Sequence, residues 1–328
     1  MKVLLLSMKE VKELLTMKDT LEATESAFRE KGLGNVQMPP KMYLFFNKYS
    51  GDLRVMPSYI TSLDIAGVKV VNVHTENPRL HNLPTVMATI LLIDPKTGFP
   101  YAVMDGTWIT TMRTGAASGV ATKYLARKEA RVLSLVGCGV QAETQLLAIA
   151  AVAQIEKVKI FDLLPERMED FQKRMGKQIA LPIEKSPSLK DCVRDCDILS
   201  TQTPVREPII KREWIKPGCH INAIGADAPG KQELDPKILL EGKVFIDDWE
   251  QALHSGEVNV PYAQGIIKKT QIKGELGDLV CGKVKGREEE TDITIFDSTG
   301  LGIQDLVTAS YVYRKAKEKG AGKEWEIF

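Results

Sequence analysis

From about residue 130 to 300 the chain repeats one pattern: a short run of Val, Ile and Leu, then a longer amphipathic stretch. The runs are RVLSLVG (131–137), KVKIFD (157–162), DILSTQT (197–203), HINAIGA (220–226), KVFIDD (243–248) and ITIFDS (293–298). Continuous apolar strands separated by helices belong to a parallel sheet covered on both faces. The pattern predicts an α/β fold with a Rossmann-type doubly wound parallel sheet. The first 110 residues read differently. Ser7-x-x-Glu10 has the spacing of a capping box, and a second helix is expected around 19–31, stopping at Gly32. KMYLFF, LRVMP, AGVKVVNVH, TVMATILLID and YAVMD follow as strand-like pieces, with PKTG (95–98) as a hairpin turn. These predict an α+β unit with an antiparallel sheet, onto which a C-terminal helix near 302–319 returns. The expected division is 1–114 with 303–328 for the α+β domain, and 115–302 for the Rossmann domain.

A length of 328 residues is long for one core and agrees with two domains. With 44% hydrophobic and 27% charged residues and a net charge of +1, nothing electrostatic favours nucleic acid or an anionic membrane. The near-zero charge does not oppose self-association. No apolar run approaches the roughly 18 residues that span a bilayer, and the N-terminus lacks a secretory pattern, so the cytoplasm is the expected location. Five cysteines without a CxxC, and four histidines without metal-ligand spacing, assign neither a disulfide framework nor a metal. Cys192 and Cys196 fit one helix face, and 283–292 reads as a solvated loop.

Candidate chemistry begins at Gly137-Cys138-Gly139-Val140-Gln141-Ala142, a G-x-G-x-x-A between a buried strand and a helix. Gly137 permits the tight turn, Gly139 lets backbone approach a pyrophosphate, and the helix N-terminus favours phosphate. Asp162 ends the next strand, roughly 20 residues on, where a carboxylate accepts a ribose diol and repels a 2′-phosphate. NAD is thus favoured, with Arg167 leaving NADP open. Thr203 and Asp227 fall at the carboxyl ends of two further strands, where ligands bind in open sheets. Asp227 is either a turn former or an acid facing the cofactor cleft. Lys41, Arg54, Lys69 and Arg113 supply bases to the N-terminal part. Lys69 interrupts the apolar run AGVKVVNV, so it either snorkels to solvent or is held to bind a small anion such as a carboxylate.

QMPPKMYL, DLRVMP, LPTVMA, TGFPYAVMDGTWITTMRTGAASGVATKYLAR, VGCGVQAETQ, HINAIGADAPGKQELD, VFIDDWEQALHSGE and ITIFDSTGLGIQD together resemble the ornithine cyclodeaminase/mu-crystallin family across essentially the whole chain. The similarity is strongest to its alanine dehydrogenase branch. The resemblance implies a Rossmann domain beside an α+β domain that binds substrate and mediates homodimerisation. It implies NAD as cofactor, an amino acid or 2-oxo acid as substrate, and a carboxylate held by Lys41, Lys69 and Arg113. Asp227, with Lys69, falls on the acid/base positions. Cofactor contacts fall on Thr85, Arg113, Thr114, Val140, Gln141, Asp162, Thr203, Ile224, Gly225, Lys231 and Ser298, and Thr299 on a substrate-adjacent position. Ornithine cyclodeaminases carry a Glu where Arg54 stands here, so Arg54 would repel a distal ammonium and add a carboxylate contact. That departure favours a small neutral amino acid, with Glu76 as a possible substitute acid. The expected activity is reversible NAD-dependent deamination of L-alanine. The alternatives are ornithine cyclodeamination with recycled NAD, reduction of a cyclic imine such as pyrroline-2-carboxylate, and non-catalytic ligand binding.

Overall fold

The computed structural model describes residues 2–327. Contacts divide the chain into two compact units, one formed by the segment up to Arg113 with that from Leu301, the other by Thr114–Gly300.

The first unit is built on strands β1 (Lys2–Leu6), β2 (Val36–Gln37), β3 (Met42–Phe46), β4 (Gly51–Ile60), β5 (Ile65–His74), β6 (Val86–Ile93), β7 (Pro100–Asp105) and, last along the chain, β16 (Lys323–Glu326). Their order is β16-β1-β7-β6-β5-β4-β2, with β3 also on β4. The expectation of a purely antiparallel sheet is corrected by β1, which pairs parallel with β7. KVLLL lies in the N-terminus, where no strand is expected from the sequence. Its partner strand is about a hundred residues away, a pairing that no local pattern reveals.

Alternation on β4 buries Arg54, Met56, Ser58 and Ile60, and Met56 lies opposite Lys69, which lies opposite Ile90. The helix Gly302–Lys319 packs across β4, β5 and β6, as expected of a returning C-terminal helix. A Cβ on Gly302 would stand 3.1 Å from the Met56 carbonyl, so the absent side chain lets this helix close on the sheet. Ser7 and Glu10 form the expected capping box. The second helix, Met17–Gly32, includes Gly32, and the left-handed residue beyond it is Gly34 (φ 79°).

The second unit holds β8 (Val132–Val136), β9 (Lys157–Phe161), β10 (Ile183–Lys185), β11 (Ile198–Thr201), β12 (His220–Ala223), β13 (Lys243–Ile246), β14 (Ile272–Glu275) and β15 (Thr294–Asp297). All pair parallel, in the order β10-β9-β8-β11-β12-β15-β13-β14. The strand order reverses between β8 and β11, which makes that crevice the ligand position of a doubly wound sheet. Every residue of β11, β12 and β15 is buried, the pattern that marked them in the sequence. β10 (IEK) and β14 (IKGE) are short and polar because they close the two edges.

Two expectations for this unit are corrected. Cys196 lies beyond the short helix Leu189–Val193, so it does not share a face with Cys192; its sulfur is 3.9 Å from that of Cys219. Within 283–292, Arg287 is half-buried and donates to the Leu125 carbonyl at 2.9 Å. Among the described residues no helix is long and apolar enough to cross a membrane.

Candidate active site

In the first unit, three charged side chains meet under the C-terminal helix. Lys69 is fully buried, which excludes snorkelling, and its Nζ is 2.6 Å from Asp305 Oδ2. Arg113, from the helix Thr107–Leu125, donates from Nε to Asp305 Oδ1 at 3.0 Å and from Nη1 to Gln304 Oε1 at 3.2 Å. One carboxylate therefore faces two bases. Burial and the Arg113 charge push the Lys69 amine down to about 7, against the opposing pull of Asp305, and Lys41 adds to the fall. While Lys69 holds its proton, two buried cations face one carboxylate, which favours the arrival of a small anion. Asp305 was not singled out from the sequence. The available signal was an acid inside LGIQDLVTAS, a segment whose residues 301–310 are all buried, where an ionised group needs a partner.

Lys41 is half-buried just before β3. Arg54 is buried, and two of its N–H groups reach the neighbouring acid: Nε to Asp52 Oδ1 and Nη2 to Asp52 Oδ2, each at 3.0 Å. Its guanidinium also lies 5.4 Å from the Tyr43 ring. The expected repulsion of a distal ammonium by Arg54 is thus weakened, because Asp52 offsets the charge. Glu76, the possible substitute acid, is tied to Arg79 at 2.9 Å on the surface. Thr85 precedes β6 and accepts the His74 N–H at 2.8 Å through its carbonyl.

In the second unit the glycine turn has the form that a dinucleotide needs. Gly137 adopts φ 92°, and a Cβ there would lie 3.1 Å from the Gln202 carbonyl. A Cβ on Gly139 would meet nothing within 4 Å, so the space beside it is open. The helix Val140–Val152 starts at Gly139 without a side-chain cap, leaving its first N–H groups to an external anion. Asp162 accepts the Cys138 N–H at 2.8 Å and the Leu164 N–H at 3.0 Å, which fixes its carboxylate at the turn. Val140 and Leu163 are 65% and 84% exposed, apolar surface suited to a flat ring, while Gln141 Oε1 is buried without a hydrogen bond. These features fit NAD. Arg167 is exposed. Thr114 is buried, and its carbonyl accepts from Gln145 at 3.4 Å.

Asp227 follows Gly225 beyond β12, and its Oδ1 lies 2.6 Å from Lys231 Nζ. The turn between them is held by Asn259, which accepts the Gly230 N–H and donates to the Lys231 carbonyl, each at 3.1 Å. Asn259 was missed, for lack of any sequence signal at that separation. Ile224 is buried, its N–H donating to the Thr201 carbonyl at 2.9 Å. Ser298 is buried beyond β15. Thr299 donates its N–H (2.7 Å) and hydroxyl (2.8 Å) to the buried Asp247, so its hydroxyl proton is committed to that acid.

The family model for ornithine cyclodeaminase/mu-crystallin matches residues 1–320. The chain belongs to the ornithine cyclodeaminase/mu-crystallin family. Within the family it is 46% identical over 328 residues to an alanine dehydrogenase of Archaeoglobus fulgidus, covering 100% of this chain and 99% of that relative. A solved archaeal alanine dehydrogenase dimer with bound NAD superposes with a TM-score of 0.96 at 46% identity, covering 100% of both chains. Another solved family member, Thermococcus litoralis Δ1-pyrroline-2-carboxylate reductase in complex with NADH and L-proline, gives a TM-score of 0.95 at 41% identity. It covers 98% of this chain and 99% of that one.

Proposed function

We propose that this protein is an NAD-dependent amino-acid dehydrogenase that converts L-alanine, NAD+ and water reversibly to pyruvate, ammonium, NADH and a proton. The observation that carries the reading is the buried Lys69–Asp305–Arg113 cluster, in which two basic side chains share one carboxylate. It suits the carboxylate shared by an amino acid and its 2-oxo acid. Gly137, Gly139 and the capless helix would hold the pyrophosphate, and the fixed Asp162 carboxylate favours a free ribose diol, hence NAD over NADP. When bound, NAD supplies the hydride acceptor. Arg113 and Lys69, with Lys41, would orient the substrate carboxylate. Lys69 and Asp227 would exchange protons as water adds to the imine and ammonia leaves. Exposed Met42, Leu44 and Phe45 on β3 support pairing of two copies through the first unit.

Asp227→Asn lowers alanine deamination by about 10²- to 10⁴-fold while cofactor binding stays intact. Initial rates beside an NADH titration check this, and undiminished turnover removes Asp227 from the mechanism.

A second reading, reduction of a cyclic imine, is favoured by the 41% identity to the pyrroline-2-carboxylate reductase. It needs the same carboxylate clamp. Cyclodeamination is supported less, since Asp52 and Glu76 are both paired with arginines and so poorly suited to a distal ammonium. Product analysis separates the three. Pyruvate from alanine supports the dehydrogenase, NADH consumption with pyrroline-2-carboxylate alone supports the reductase, and proline plus ammonia from ornithine without net NADH supports the cyclodeaminase.

A further inference from the structure

Thr203 and Gly225 belong to different loops, one after β11 and one after β12, and a single buried side chain ties them together. Glu233 Oε1 accepts the Thr203 N–H at 2.7 Å and the Thr203 hydroxyl at 2.6 Å. Its Oε2 accepts the Thr201 hydroxyl at 2.7 Å and the Gly225 N–H at 2.9 Å. Four donors on two oxygens suit an ionised carboxylate, which only accepts, better than an acid carrying its own proton. Burial raises the Glu233 pKa, and these same hydrogen bonds oppose the rise. A Cβ on Gly225 would overlap the Thr203 carbonyl, so the two loops touch through bare backbone.

Other acids hold Glu233 in turn. Glu257, fully buried, accepts the Glu233 N–H at 2.9 Å and the Leu234 N–H at 3.0 Å. Asp297 accepts the N–H groups of Glu257 at 2.9 Å and Val258 at 3.1 Å. Burial, with the neighbouring Glu233 and Asp297 charges, raises Glu257 well above the usual carboxylate range. Burial pushes Asp297 up to about 7. A buried row of acids placed this way costs stability unless protons are shared along it. Its outcome is to fix one carboxylate under two ligand-facing loops.

We propose that Glu233 is a positioning residue that holds the loops after β11 and β12 in the arrangement that receives the dinucleotide, and through Gly225 sets the start of the turn carrying Asp227 and Lys231. The inference rests on the reading that these loops bind NAD. Glu233→Gln keeps the shape but turns one acceptor into an N–H2 group. Hydroxyls can rotate to accept from it, but the Thr203 and Gly225 N–H groups cannot, so either amide orientation opposes one loop.

The test is an NADH fluorescence titration of wild type and Glu233→Gln, with circular dichroism confirming the fold, and KM for NAD and alanine measured separately. The variant is expected to bind NADH about tenfold or more weakly, with KM for NAD rising in step and KM for alanine unchanged. A merely structural role would reduce the folded fraction and leave both constants of the folded remainder unaltered. A folded Glu233→Gln with wild-type NADH affinity overturns the inference. Should that variant fail to fold, Thr201→Val, which deletes one donor at constant shape, is expected to weaken NADH binding about threefold or more. Unchanged affinity in Thr201→Val overturns it equally. Failure of the wild type to bind NADH sinks the nicotinamide reading itself, before either variant is compared.

Discussion

Asp305→Ala is expected to destabilise the protein by about 3–5 kcal/mol, the cost of stripping a buried ion pair of one partner. Asp305 is fully buried, as is Lys69, and Arg113 is nearly so, so the two bases left behind could not recover hydration without opening the packing of the C-terminal helix on β5. Lys69 could shed its proton, but Arg113 cannot. Asp305→Asn keeps an acceptor for the Arg113 Nε donor and loses the charge, so its effect should be smaller. Urea denaturation of the three proteins at constant pH checks the ranking. An Asp305→Ala midpoint equal to that of wild type would mean that the cluster contributes nothing to the fold.

Lys69→Met should lower kcat/KM for alanine deamination by about 10²- to 10⁴-fold, and it should also change the pH profile. With its pKa near 7, the Lys69 amine becomes neutral as pH rises through that value. A proton acceptor must be neutral, so wild-type kcat/KM rises with pH through about 7, and the variant loses that limb. A fall in rate over the same interval would remove Lys69 as the proton acceptor and leave it only as a cation for the substrate carboxylate. The stability linkage has its own sign. Between about 7 and the ordinary 10.5 the unfolded chain holds a proton that the folded one has released, so stability at this position increases with pH across that window. Lys69→Met should flatten the corresponding rise in the urea midpoint.

Local patterns explain why much of this was readable in advance. The strands β8, β9, β11, β12, β13 and β15 are short runs rich in Val, Ile, Leu and Phe and bounded by turn residues, so the local pattern marks them. The glycine turn was legible because its spacing and flanking elements are set by the shape of the bound phosphates. Lys69 stood out as a charge in an apolar strand, but nothing in its neighbourhood said whether it was solvated. Its partner Asp305 is 236 residues away on the C-terminal helix. The same applies to β1, whose pairing with β7 is nonlocal, and to Glu233, which resembles any acid in KQELD until the loops gather around it. Arg54 shows the opposite failure. Its charge was visible, but a side chain two residues earlier on the same strand face offsets it.

The proposed reaction is net, cofactor-linked deamination of alanine. The most direct measurement is the near-ultraviolet absorbance of NADH when the purified protein meets NAD+ and L-alanine, with pyruvate assayed in the same sample. NADH and pyruvate are expected to accumulate in equal amounts, and neither is expected with L-ornithine. No NADH from alanine, with proline and ammonia formed from ornithine, would contradict it.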